Sequence, residues 1–150
     1  MLSIMSGIML FNIYEDKQNQ LWIGGQQGIT IVNTIKKTAH TMPYATVFPE
    51  GKSLGKSLSF FEDNNDNMWL GTSKGLLLKS PFTKRFDLNS TIPQLAQFTG
   101  VREILQIHNT LWVANYDGLF KIDLQKSDSP PQKVLTNPIF SLLLTKNGDL

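Results

Sequence analysis

One nine-residue phrase recurs three times in this chain, and it constrains the fold more than any other feature. It reads LWIGGQQGI at 21–29, MWLGTSKGL at 68–76 and LWVANYDGL at 111–119. Each copy places Trp second and Gly eighth: Trp22 and Gly28, Trp69 and Gly75, Trp112 and Gly118. The tryptophans are 47 and 43 residues apart. Four short strands in roughly 40–45 residues is the spacing of a β-propeller blade.

The residues around each phrase read as strands and turns. Phe11 and Ile13 alternate ahead of the first phrase, Leu58 and Phe60 ahead of the second, and Phe140 and Leu142 near the C-terminus. Period two with aromatic and branched residues is the half-buried strand pattern. No amphipathic helix of useful length is visible. DNNDN at 63–67, His108-Asn109 and Asn147-Gly148 supply the first turn of a repeat, where Asx bonding or positive φ is needed. QQG, SKG and YDG supply the second, and their shared Gly predicts a type I turn closed by a left-handed Gly. The small residue two after each Trp (Gly24, Gly71, Ala114) is expected to let a neighbouring blade approach closely.

The reading is therefore an all-β chain: a β-propeller fragment of about three and a half four-stranded blades. The repeats span about 8–50, 57–90 and 100–136, with the start of a fourth at 138–150. In the second, LSFFED, NMWLGT, GLLLKS and TKRFDL are the four strands. PYATVFPEGKSLGK at 43–56 and TIPQLAQFTG at 91–100 are connectors. SLLLTKNGDL at 141–150 repeats the lead-in to a phrase, so the chain reads as cut inside a blade. Such an open edge makes the isolated chain marginal or self-associating.

Composition removes several function classes. Net charge is +2, and the only basic doublets are Lys36-Lys37 and Lys84-Arg85, which is no phosphate-tracking stripe, so no nucleic acid is expected. There is no cysteine, hence no thiol chemistry. No apolar run approaches the ~18 residues of a membrane span. MLSIMSGIMLF at the N-terminus lacks a basic lead and reads as first-strand material.

No motif carries catalysis. Asp63, Asn65 and Asn67 resemble the opening of a calcium loop, but Met68 stands where Gly is wanted and Lys74 where a bidentate Glu is required, so no metal is expected. Asp16 and Asp63 each sit six residues before a Trp, which favours an Asx-type turn role over catalysis. His40 and His108 fall at unrelated repeat positions. Trp22, Trp69 and Trp112, with Gly28, Gly75 and Gly118, are read as structural repeat residues. The recognition candidates are the tips of the second turn: Gln26, Gln27, Ser73, Lys74, Asn115, Tyr116 and Asp117. They vary while the framework repeats, as expected of loops free for recognition. Tyr116 is the one aromatic among them.

The pattern of Glu-Asp, a polar turn, Leu-Trp-Ile-Gly and a later Gly-hydrophobic pair resembles the two-component regulator propeller repeat. Glu15 to Ile29 and Glu62 to Leu76 resemble it closely. Residues 101–122 do so more loosely, lacking the Glu-Asp pair and carrying Ala114 for Gly. The resemblance implies a periplasmic, non-enzymatic ligand sensor that takes no cofactor and responds to oligosaccharides. It also implies further propeller blades in a longer chain, a homodimer that transmits the signal, and a kinase or other output lying elsewhere. A protein-binding scaffold propeller and a propeller lyase or hydrolase are the alternatives.

Overall fold

Each phrase builds the second strand and second turn of an antiparallel sheet. The computed structural model describes residues 9–48, 53–87, 95, 97–126, 129–146 and 150. Residues 1–8 and the Asn147-Gly148 turn lie outside them. The first sheet runs in the order β1 (Leu10–Glu15), β2 (Gln20–Gly25), β3 (Gly28–Asn33), β4 (Thr38–Pro43). The second has β5 (Ser57–Glu62), β6 (Met68–Thr72) and β7 (Gly75–Lys79). The third has β8 (Glu103–Ile107), β9 (Thr110–Asn115), β10 (Gly118–Asp123) and β11 (Gln132–Leu135). Chain-order meanders stacked in series are propeller blades, and the chain is an all-β propeller fragment.

Two local expectations are corrected, and one connector gains a local structure. First, among its described residues, 83–87, TKRFDL forms no fourth strand; their contact with β7 is the bridge Leu78–Asp87, and Leu88 lies outside the described residues. Pro81 and the Thr83-to-Ser80 backbone bond turn the chain here, and Phe86 instead donates its N–H to the Val47 carbonyl and enters the core edge-on to Trp22. Second, the 43–56 connector opens with a single helical turn, α1 (Tyr44–Val47), whose Tyr44 ring stacks on Phe48. Third, Phe140 to Lys146 form no strand. In each sheet the first strand pairs with the Trp strand that follows it.

The first turns carry the Asx bonding and positive φ expected of them, and it is the second turns that depart from expectation. The left-handed residue sits in the first turn, not the second. Asn19 and Asp66 have φ of 58° and 61°, each closing a three-residue loop over an Asp. That is the type I turn plus left-handed residue expected for a loop of this length. The second turns are two-residue loops: Thr72 lies opposite Gly75, and Asn115 opposite Gly118. Their glycine answers mainly to the fourth strand. A Cβ on Gly28 would collide with the Met42 carbonyl oxygen, and one on Gly118 with that of Leu135. Only Gly118 adds a positive φ, 134°.

Asp and Trp together brace the first turn. Asp16 Oδ1 accepts the N–H groups of Gln18 and Gln20 at 3.0 and 2.8 Å, and its Oδ2 accepts Trp22 Nε1–H at 2.8 Å. Asp63 repeats this with Asn65, Asn67 and Trp69 at 2.8, 2.9 and 2.8 Å. Both carboxylates and both indoles are buried. The third sheet has a loop one residue shorter, His108-Asn109, with no Asp, and its Trp112 is only half-buried.

The sheets pack face to face around these indoles. Trp22, Ile29, Phe60, Leu70, Leu77 and Phe86 fill the space between the first and second sheets. Trp69, Leu76, Ile104, Leu111 and Val113 fill that between the second and third. Burying one Trp removes about 150–250 Å² from water, worth up to roughly 4–6 kcal/mol. The exposed Lys17–Asp66 ion pair at 2.6 Å is worth about 1 kcal/mol or less. Packing, not charge, holds the stack. The small residue after Trp does admit the neighbour: a Cβ on Gly24 would meet Ser57 of the next sheet, and one on Gly71 would meet Val101.

A polar clasp sets the register between sheets. Glu62 accepts the Lys17 N–H at 2.7 Å, and Gln106 Oε1 accepts the Asn64 N–H at 2.9 Å. Lys17 and Asn64 occupy the same turn position, and Glu62 and Gln106 the same first-strand position. Glu62 of the second Glu-Asp pair thus faces the preceding sheet, while Asp63 serves its own turn.

Candidate functional site

The second turns form the candidate recognition rim. Their tips, Gln26, Gln27, Lys74, Tyr116 and Asp117, are exposed, and Ser73 is half-buried. In each case a carbonyl of the turn is held by the connector to the next repeat. Gln27 accepts from Tyr44 N–H, Ser73 from Gly100 N–H, and Asn115 from Ile139 N–H. Ser73 Oγ also accepts the Lys56 N–H at 3.0 Å. The rim residues are therefore held on hairpins anchored to the connectors, and among the described residues no hydrogen bond joins the tip of one turn to that of another.

Asn115 is committed to the turn itself. It is buried, and its Oδ1 accepts the N–H groups of Asp117 and Gly118 at 2.9 and 3.0 Å. In the second sheet Thr72 replaces it: its hydroxyl accepts the Lys74 N–H at 3.1 Å and donates to the Gly75 carbonyl at 2.9 Å. Tyr116 is 46% exposed but not isolated. Its ring lies where a Gly100 Cβ would be, the Arg102 guanidinium sits 4.8 Å from its centroid and donates to its hydroxyl, and Phe140 meets its edge at 5.7 Å. One face and the hydroxyl are thus engaged by the chain's own residues.

A cleft of about 280 Å³ opens beside this loop. Gln97, Phe98, Asp117, Phe120, Pro131 and Lys133 line it together with Asn115. Phe98 and Phe120 meet edge to face at 5.0 Å, and the Lys133 ammonium lies 5.2 Å from the Phe120 centroid. Aromatic and proline faces beside one carboxylate and one ammonium suit a small polar ligand with an apolar side. The volume is at the lower end of ligand clefts, about 300–1,000 Å³, so it matches one ring-sized group. Of the rim candidates, only Asn115 and Asp117 reach this cleft. Gln26, Gln27, Ser73 and Lys74 belong to other sheets. Phe98, Phe120, Pro131 and Lys133 carried no sequence signal, because they converge from a connector, β10 and β11 only in three dimensions.

No catalytic constellation forms around the remaining candidates. His40 lies exposed on β4, and His108 lies in the β8–β9 turn. Among the described residues, no three His, Asp or Glu side chains converge as metal ligands. Elsewhere in the third sheet, burial pushes the Glu103 carboxyl above its ordinary range, against a smaller opposing effect of the Ile104 N–H.

Residues 4–27 and 52–74 match the two component regulator propeller family. The similarity to that family is confined to these two stretches of the chain. Each matched span includes the first strand, the Asp-braced turn and the Trp strand of its repeat. The third sheet, with its shortened turn, lies outside both spans. No curated protein matches the chain. Two solved structures of the extracellular domain of BT4673 from B. thetaiotaomicron share the fold. One is described as a one component system and the other as a hybrid two component system. Each is 19% identical with a TM-score of 0.72, over 95% and 96% of this chain. The chain spans 19% of the length of those domains. No helix among the described residues is long and apolar enough to cross a membrane.

Proposed function

We propose that the chain is a section of the ligand-sensing propeller of a bacterial two-component regulator, that it lies in the periplasm, and that it binds rather than catalyses. One observation carries the reading: Trp22, Trp69, Asp16 and Asp63, which repeat, are consumed by folding, while most of the varying tips, Gln26, Gln27, Lys74, Tyr116 and Asp117, stand exposed on the turns. Trp22, Trp69, Asp16 and Asp63 are buried against one another, so they are unavailable to a ligand. Asp117 and Tyr116, beside the Phe98–Phe120 cleft, are the recognition residues of the third repeat. An oligosaccharide fits the chemistry, with apolar ring faces against Phe and Pro and hydroxyls toward Asp117 and Lys133. Gln26, Gln27, Ser73 and Lys74 are the corresponding contacts on the other repeats.

The mechanism follows from coupling. The loop that bears Asp117 is bonded to the connector entering the next repeat, through Asn115 and Ile139. Ligand at the cleft would bias the placement of that connector, and with it the arrangement of further blades and of two such chains in a dimer. A shift of population between two arrangements is sufficient to signal. The test is a titration of the chain with a panel of neutral and acidic oligosaccharides, read by heteronuclear NMR. Shifts centred on Asp117, Phe120 and Lys133, abolished by Asp117→Ala, are expected. A panel that moves none of these resonances would overturn the sugar-sensing reading in favour of a protein-binding propeller.

A further inference from the structure

The end of the sheets remote from the recognition rim carries a second repeated pattern. Asn33 lies opposite Gln20, and Lys79 opposite Met68. The turns that leave β3 and β7 therefore stand at the end of the Asp-braced first turns, away from the second turns. Each is a local turn with an apolar residue in third place. In Asn33-Thr34-Ile35-Lys36 the Lys36 N–H donates to Asn33 Oδ1 at 2.8 Å, an Asx-type closure. In Ser80-Pro81-Phe82-Thr83 the Thr83 N–H donates to the Ser80 carbonyl at 3.2 Å, with Pro presetting the second place. Both turns close on their own bonds and leave the apolar apex outside. Ile35 is 76% exposed, and Phe82, at 96%, is the most exposed large hydrophobic side chain among the described residues.

Both basic doublets of the chain sit beside these apices. Lys36-Lys37 follows Ile35, Lys84-Arg85 lies two residues past Phe82, and all four cations are exposed. Residues 33–37 and 80–86 contain no acid; the nearest, Asp87, lies two residues past Arg85. The third repeat does not share the device. There Leu124 is half-buried against the core between the second and third sheets, and Lys126 lies 3.8 Å from Asp123. The apices stand at the end of the sheets, not on a face between them. The second sheet is packed on both sides, by the first and by the third. Phe82 is exposed with both neighbours in place, so stacking of further blades does not cover it.

We propose that this edge docks on an anionic lipid surface, with Phe82 and Ile35 entering the headgroup boundary and the four cations lying against headgroup phosphates. The charge is complementary to such a surface, and apolar insertion joined to basic residues is the pairing that holds a peripheral protein there, each part being too weak alone. The shape selects lipid over an acidic protein. Two separate projecting tips enter a soft bilayer without preparation, whereas a protein would need a matching hollow for each. Tips on adjoining sheets engage one surface together, so their contributions multiply. The second turns then face away from the lipid. The docking itself does not rest on the sensing reading.

Co-sedimentation of the 150-residue chain with phosphatidylcholine vesicles, with and without phosphatidylglycerol, tests it. Binding is expected to the mixed vesicles and not to pure phosphatidylcholine, and it should weaken as salt is raised. Phe82→Ser should lower the partition constant about 10-fold, and Ile35→Ser by a smaller factor. Lys84→Gln should lower it about 5-fold. Lys56→Gln removes an exposed cation beside Ser73, at the opposite end, and should change nothing. Phe82→Trp should keep binding, and its added emission should move to the blue on the mixed vesicles. Far-UV circular dichroism confirms that each variant is folded; should Phe82→Ser not fold, the Phe82→Trp emission decides. No binding to the mixed vesicles at low salt would overturn the proposal. So would binding indifferent to Phe82→Ser, which is diffuse charge attraction only, or an equal loss from Lys56→Gln. A Phe82→Trp emission unmoved on bound vesicles would overturn it as well.

Discussion

Removing the Asp63 carboxylate should cost far more than removing any surface charge in this chain. In Asp63→Ala, Trp69 keeps its place in the core but its Nε1–H loses its acceptor at 2.8 Å. An orphaned buried donor costs about 1–3 kcal/mol. The N–H groups of Asn65 and Asn67 lose their charge-assisted bonds as well, although water can replace part of these at the turn. The sum is about 3–5 kcal/mol, against a total stability of about 5–15 kcal/mol for an ordinary domain. Urea denaturation followed by far-UV circular dichroism reads this directly. Trp69→Phe, alone and combined with Asp63→Ala, completes a double-mutant cycle. The coupling energy should be about 1–3 kcal/mol. A coupling below about 0.5 kcal/mol, with Asp63→Ala itself costing under 1 kcal/mol, would refute the Asp–Trp brace.

Other substitutions separate the remaining effects. Gly118→Ala puts a Cβ onto the Leu135 carbonyl at a φ of 134°. It should lose about 2 kcal/mol or more in the same denaturation assay. Lys17→Met should lose no more than about 1 kcal/mol, and less at high salt, because its ion pair with Asp66 is exposed. Burial raises the folded-state pKa of Glu103 above its ordinary value, so the folded chain holds that proton longer than the unfolded chain does. Stability therefore falls as pH rises from the ordinary carboxylate value through the folded one. Glu103→Gln should gain stability at neutral pH and none at about pH 3, as read by thermal melts across that range.

Much of the framework is legible in the sequence because it repeats. Trp at the second place of the phrase, Asp six residues earlier and a small residue two later each have one geometric job, and the job recurs in register. What escaped was set by contacts between distant segments. Gly28 and Gly118 look like left-handed turn residues, yet the fourth strand's carbonyls exclude a side chain there, and no local pattern reports that strand's approach. TKRFDL has a strand's composition, but Phe86 is drawn into the core between the first two sheets. Asn115 reads as an exposed tip because its neighbours are, while its carboxamide closes the turn beneath them. The Phe98–Phe120 cleft joins residues from a connector and two strands, which periodicity cannot bring together. Tyr116 was legible as an exposed aromatic, but its contacts with Arg102 and Phe140 depend on how the connectors pass over the rim.

The three indole N–H protons offer the most direct test of the account. Each gives its own resonance in a nitrogen–proton correlation spectrum, and their exchange with deuterated water can be timed separately. The brace predicts two slow protons, from Trp22 and Trp69, each buried and bonded to a carboxylate, and one fast proton from Trp112. Asp63→Ala should speed Trp69 and leave Trp22 slow. Three protons exchanging at the same rate, or a slow Trp112 beside a fast Trp69, would contradict the assignment of the repeated Asp and Trp to the framework that leaves the rim turns free for recognition.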